Sequence, residues 1–301
     1  MSGRSFHEEQ ARNKRDSLIL ASLVSIILFA LIVSISYIFA PDAIYIMVPI
    51  SIVMVLLYTW GSYQYGDKVV LNSVNARPAE GREYTYLNNT VEGLAIAAGI
   101  PKPDVYVIPS KELNAFATGK DPENASLAVT TGLINTLDRS ELEGVVAHEI
   151  SHIRNRDVQF MTLVAVLVGV AGILSHMILR SYWWGGSRRR GGRDREGGLG
   201  IAIIVLGFIL AIFAPIATRL VQLAVSRRRE YLADASGAEL TRYPDGLADA
   251  LEKIAQYNTG EMDVSESVSH LFISDPNRSP LDALYRTHPP IEERIKRLRE
   301  M

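Results

Sequence analysis

The chain has no cysteine. That excludes disulfides, a thiol nucleophile and every thiolate-held metal site. A metal here has to be held by histidine and carboxylates, and histidine is scarce, with six in 301 residues. Charge of one sign is not in excess either. The 31 Lys and Arg stand against 33 Asp and Glu, for a net charge of -2. No basic face is implied for the whole chain, so nucleic acid is not an expected partner.

Charge is also missing locally. None falls between Ser17 and Ala40 or between Ala43 and Trp60. A membrane span needs about 20 predominantly apolar residues, and both runs qualify. Only Pro41 and Asp42 separate them, which suits a helical hairpin. A cleaved signal fits poorly, because the first run is too long and a second span follows at once. Two further apolar runs extend from Val158 to Leu179 and from Leu199 to Val225. They flank a Gly- and Arg-rich stretch, Ser181 to Gly198, that reads as a low-complexity loop. Arg4, Arg12, Lys14 and Arg15 precede the first run, which places the N-terminus in the cytoplasm by the positive-inside rule. Four full spans would then put the soluble parts, and any active site, on the cytoplasmic side. The arginines at 188–190, 193 and 195 run against that topology, since it would place their loop outside.

The expected organisation has four parts: a tail and hairpin at 1–62, a catalytic part at 63–157, a second apolar pair at 158–225 and a second catalytic part at 226–301. Helical spacing covers Tyr86 to Ala98, with Gly99 as the stop. Strand alternation covers Asp104 to Ile108 and Ser126 to Thr130. Ser140 and Glu143 match a capping box, which predicts a helix from Ser140 through at least Arg154. The fold class is therefore α+β, predominantly helical, with about four transmembrane or membrane-associated helices.

The predicted helix carries His148-Glu149-Ile150-Ser151-His152. Residues four apart lie above one another on one face, so both imidazoles can reach one zinc ion. Glu149 is offset by one residue and faces the open side of such an ion, where it can take a proton from water. A catalytic zinc needs a third protein ligand. Glu230 and Asp234 again stand four apart, so one can bind metal and the other can accept the outer N–H of a histidine. Spacing alone leaves open which does which. Asp157, just past the motif, suits a helix N-cap as well as a site role.

The stretches VVAHEISHIRNRDV, SRRREYLADASGA and NAFATG (Asn114 to Gly119) together resemble the HtpX group of membrane metallopeptidases, relatives of the CAAX prenyl protease. The resemblance implies a zincin-like HExxH catalytic domain with one Zn2+ on His148, His152 and Glu230, and Glu149 as base. It implies that Asp234 orients a ligand histidine. It places Asn114, Ala115 and Phe116 beside the cleft, where a substrate strand could add by backbone pairing. His288, in the C-terminal His-Pro segment, is a candidate hydrogen-bond donor near the site or a fixture of the last helix. The implied partners are the lipid bilayer of a cell membrane and unfolded or membrane-protein substrates, in quality control. The competing functions are processing of lipidated or C-terminal peptides and, in another class, a non-catalytic zinc-binding membrane scaffold. A site-2 type intramembrane protease is disfavoured, because charged residues flank the motif on both sides (Asp138 to Glu143 before it, Arg154 to Asp157 after it).

Overall fold

The computed structural model describes residues 6–39, 41–166, 169, 227–262, 264–277 and 289–301. Helices α1 (Phe6–Phe39) and α2 (Ile44–Ser73) form the expected hairpin, turning through Pro41–Ala43. Ser25 Oγ and Thr59 Oγ1 meet at 2.8 Å between them. Along α2 the side chains of Ile46, Val53, Leu56 and Leu57 are all more than half exposed. A row of exposed apolar residues on a long helix suits lipid as the surrounding solvent. Among the described residues α2 is the one helix long and apolar enough to cross a membrane. The later apolar runs lie outside the described residues except for 158–166 and 169, as do loop 181–198 and His288.

The sheet has four strands, β1 (Arg77–Pro78), β2 (Asp104–Ile108), β3 (Ala115–Gly119) and β4 (Ala125–Thr130), in the order β1-β2-β4-β3. The two central strands are parallel, with Val105 opposite Leu127. Strand β3 runs antiparallel to β4, with Phe116 opposite Ala128, and forms one edge. Pro78 sits in the other edge strand, where its missing N–H costs no ladder bond. The NAFATG segment is thus a strand. It lacks polar/apolar alternation because all five residues of β3 are buried.

Helix α3 (Thr85–Ala98) packs Leu87, Val91 and Ala95 inward and ends at Gly99, whose φ of 70° is the left-handed stop. A short α4 (Thr131–Thr136) follows β4. Helix α5 (Arg139–Arg154) holds the HExxH motif. Its capping box lies two residues before the expected one. Asp138 Oδ1 accepts the Glu141 N–H at 3.0 Å, and Glu141 Oε2 accepts the Asp138 N–H at 2.7 Å. Ser140 instead donates its hydroxyl to Asp138, so the stronger carboxylate acceptor wins the cap. Three helices follow: α6 (Asp157–Val166), which meets α2 and β3 through Thr162, and α7 (Arg227–Thr241) and α8 (Pro244–Tyr257), which pack on α5. A single turn α9 (Glu266–Ser269) and the last helix α10 (Ile291–Arg299) complete the described chain.

Val145, Val146, Ile150 and Ile153 of α5 share one core with Leu127 of the sheet and with Leu247, Leu251 and Ile254 of α8. The two catalytic parts drawn from the sequence therefore pack as one body. Burying each such side chain contributes about 1.5–3 kcal/mol. Two glycines let the helices approach α5 closely. A Cβ on Gly144 would lie 2.6 Å from Leu247 N, and one on Gly237 would lie 3.0 Å from His148 N. Gly144→Ala must push α8 off α5. We expect it to cost about 1–3 kcal/mol by overpacking, read as a lower melting temperature. An unchanged melting temperature would show that the contact can relax.

Candidate metal centre

Helix geometry sets His148 and His152 one above the other on α5. Gly237 brings α7 against the His148 backbone and so delivers Glu230 and Asp234, themselves one turn apart. His148 Nε2 and His152 Nε2 are 3.2 Å apart. Glu230 Oε1 lies 3.5 Å from His152 Nε2, and Glu230 Oε2 lies 3.8 Å from His148 Nε2. All three residues are buried, and their donor atoms fall within 4.8 Å of one another. Tetrahedral zinc with bonds of about 2.0–2.1 Å needs its ligand atoms about 3.3 Å apart. The three donors match that spacing.

The outer nitrogens explain why the inner ones converge. His148 Nδ1 lies 3.0 Å from Asp234 Oδ1, and His152 Nδ1 lies 3.0 Å from Asp157 Oδ2. An Nδ1–H donated to each carboxylate leaves both Nε2 lone pairs facing one another and the Glu230 carboxylate. Three acceptors in a buried space need a cation or a proton between them. Asp157 is there because the chain breaks at Arg156, whose φ is 61°, before α6 begins. It faces His152 five residues back, a pairing that an unbroken helix would not make.

Asp234 is itself held. Arg294 of α10, 1% exposed, donates Nε to Asp234 Oδ2 at 2.9 Å and Nη2 to Asp234 Oδ1 at 2.7 Å. Its Nη1 donates to the Ile273 carbonyl at 3.2 Å. Burial works against the Asp234 charge, but Arg294 and His148 outweigh it and hold the carboxyl down at about 2. Burial, then the Arg294 charge, pushes His148 down to about 4. For His152 burial also disfavours the charge, yet Asp157 and Glu230 prevail and raise it to about 9. Without metal, burial thus favours the neutral form of His148 and the carboxylates favour the charged form of His152, whose proton, with the Arg294 guanidinium 3.7 Å from Glu230, takes a cation's place. A divalent ion bound at about pH 8 must expel about one proton, chiefly from His152. Calorimetry in two buffers of different ionisation enthalpy counts that proton. Asp157→Asn should bring the count well below one, whereas a wild-type count near zero would refute the assignment.

Glu149 is buried beside this cluster. Burial raises its carboxyl to about 7, partly offset by the His152 charge and by the Ala117 N–H that it accepts. Strand β3 therefore reaches the cluster through Ala117. Asn114, Ala115 and Phe116 are each 0% exposed. Asn114 is occupied with Ser274, donating Nδ2 to its carbonyl at 2.9 Å and accepting its N–H at 3.3 Å. The Ala115 carbonyl takes the Ile273 N–H at 2.9 Å, and Phe116 packs edge-on to Phe272 at 4.8 Å. The structure does not bring these three residues to an open surface, because residues 272–274 cover them. In the sequence Arg294 stands out only as one position of the His288-Pro289-Pro290 segment with Glu292 and Ile295, with no role read for it. Nothing else there sets it apart from Arg297 and Arg299 on the same helix.

The chain matches Peptidase family M48 over residues 82–301. A Protease HtpX homolog of Caldanaerobacter subterraneus is 47% identical, covering 100% of this chain and 99% of that protein. One from Dictyoglomus thermophilum is 44% identical, covering 98% and 95%. Among solved structures, S. mikatae Ste24p aligns with a TM-score of 0.50 at 20% identity, over 97% of this chain and 66% of that one. At that identity the likeness speaks to the fold alone. The family match and the full-length relatives, with the apolar α2 and the buried His-His-Glu cluster, lead to one conclusion: this chain belongs to peptidase family M48 and is a membrane metalloprotease.

Proposed function

We propose that the chain is a zinc-dependent endopeptidase that cuts unfolded or membrane-protein segments at the cytoplasmic face of a multi-pass membrane fold. The observation that carries the reading is the convergence of His148, His152 and Glu230 beside the buried Glu149, the arrangement that peptide hydrolysis needs. Zinc, when bound, supplies Lewis-acid polarisation of the scissile carbonyl and of water. Glu149 takes the proton from the attacking water and returns it to the leaving amine. Its carboxyl, raised to about 7, is poised for both transfers. Asp234 and Asp157 hold His148 and His152 in the tautomers that turn Nε2 inward, and Arg294 holds Asp234. A substrate strand adding along β3 must first displace the Ile273 amide from the Ala115 carbonyl.

The test is zinc content and casein cleavage of detergent-purified full chain, before and after chelation. We expect cleavage to vanish with the metal and to return with added zinc. Glu230→Ala should purify almost metal-free and inactive. Cleavage that survives complete removal of metal would sink the proposal.

A further inference from the structure

A cavity of about 520 Å³ opens between the lower part of α2 and the end of the sheet where β2 and β4 begin. Its size is that of a small-ligand site. Trp60, Asp67 and Lys68 of α2 line it from one side. Lys102 and Asp104 beside β2, and Lys120 and Glu123 beside the β3–β4 turn, line it from the others. Its lining carries lysines 68, 102 and 120 and carboxylates 67, 104 and 123, and Lys102 is paired with Glu92 outside the cavity at 3.1 Å.

The level of the cavity on α2 is set by the helix. At 1.5 Å rise per residue, a hydrocarbon core of about 30 Å takes about 20 residues. Counted from Ile44, it ends near Tyr63. Side-chain chemistry changes at the same level. Exposed Leu56 and Leu57 give way to exposed Trp60, Tyr63 and Tyr65. Tryptophan and tyrosine gather where headgroups meet hydrocarbon. Trp60 and Tyr65 pack edge-on at 6.1 Å, and Lys68 Nζ stands 5.6 Å over the Tyr65 ring. Lys120 is drawn toward α2 by a hydrogen bond from Nζ to Gln64 Oε1.

We propose that this cavity binds the zwitterionic headgroup of a membrane phospholipid, phosphate on Lys68 and Lys120 and ammonium on the carboxylates of Asp67 and Glu123. A simple anion site would show an excess of lysine, as polybasic lipid sites do. With Lys102 engaged elsewhere, Lys68 and Lys120 face carboxylates on the same walls, and that mixed lining selects a ligand carrying both charges. The acyl chains would leave past Trp60 along the exposed apolar face of α2. The inference rests on the membrane reading of α2 and is independent of the metal chemistry.

The experiment is native mass spectrometry of the detergent-purified full chain, titrated with phosphatidylethanolamine, phosphatidylglycerol, soluble phosphoethanolamine or inorganic phosphate. We expect saturable one-to-one binding of phosphatidylethanolamine, at least tenfold tighter than phosphatidylglycerol. The soluble probes should bind far more weakly, which identifies the lipid as the source. Lys68→Gln/Lys120→Gln should lose about tenfold or more in affinity. Asp67→Asn/Glu123→Gln should bind phosphatidylglycerol at least as well as phosphatidylethanolamine. Zinc content and casein cleavage of the same samples separate failure of this site from failure of the protease reading. Equal binding of both lipids by wild type, unchanged lipid binding in the lysine variant, or binding of soluble phosphoethanolamine as tight as the lipid would each overturn the proposal. So would a raised KM for casein in the lysine variant with lipid binding intact, which would make the cavity a peptide subsite.

Discussion

Glu149→Gln should lower casein turnover by about 10²- to 10⁴-fold, the range that positioned general base catalysis contributes, while the purified protein keeps its full zinc content. The two side chains have the same shape. The glutamine carbonyl can still accept the Ala117 N–H, so β3 keeps its hold on α5. What is lost is the ability to take a proton. None of the three expected ligands is altered, and the charge balance of His152 still has Asp157 and Glu230 behind it. The wild-type pH profile should agree. Activity needs Glu149 ionised, so it falls as pH drops through the carboxyl's pKa. Burial sets that value at about 7, and a bound divalent cation moves it lower. The acid limb is therefore expected at or below about pH 7, and Glu149→Gln should abolish it together with the activity. If Glu149→Gln cleaves as well as wild type, the base is another residue and the non-catalytic scaffold becomes the better account of this site. If it purifies without zinc, Glu149 is part of what holds the metal, and its assignment as base fails.

The parts of this site that could be read from the sequence share one property: their geometry is local. His148 and His152, like Glu230 and Asp234, are each four residues apart on one helix, and helical periodicity alone puts each pair on one face. The hairpin was legible for a similar reason, since 24 uncharged residues from Ser17 to Ala40 leave few alternatives. Long-range geometry was not legible. Arg294 meets Asp234 sixty residues away, through the packing of α10 against α7 and α8. Asp157 meets His152 only because the backbone breaks at Arg156. The capping box of α5 shows a different limit. Ser140/Glu143 and Asp138/Glu141 both satisfy the pattern, and their competition is decided by acceptor strength. The NAFATG strand shows a third. Its residues fit an exposed substrate edge as well as a covered one, and only the placement of residues 272–274 distinguishes the two.

Arg294→Met should weaken zinc binding about 10- to 100-fold, the usual cost of losing an outer partner of a metal ligand, and should also lower the melting temperature. Arg294 is what allows Asp234 to stay ionised while 2% exposed. Without the guanidinium, burial governs, the Asp234 carboxyl rises, and His148 loses the acceptor that fixes its tautomer. Leaving one member of a buried pair alone costs about 3–5 kcal/mol, whereas neutralising both can cost far less. The double variant Arg294→Met/Asp234→Asn should therefore recover much of the lost melting temperature. It should not recover zinc affinity, because His148 still lacks a carboxylate. Arg294→Lys should fall between, since an ammonium keeps the charge but cannot make the two-pronged contact with both Asp234 oxygens. The pH dependence of the metal-free wild type has a definite sign. Asp234 is held down at about 2, so its stabilisation is present above the unfolded value of about 3.9 and is lost as pH falls toward 2. Arg294→Met should flatten that acid limb. Wild-type zinc affinity and melting temperature in Arg294→Met would show instead that Asp234 is sustained by His148 alone, and that α10 only covers the site.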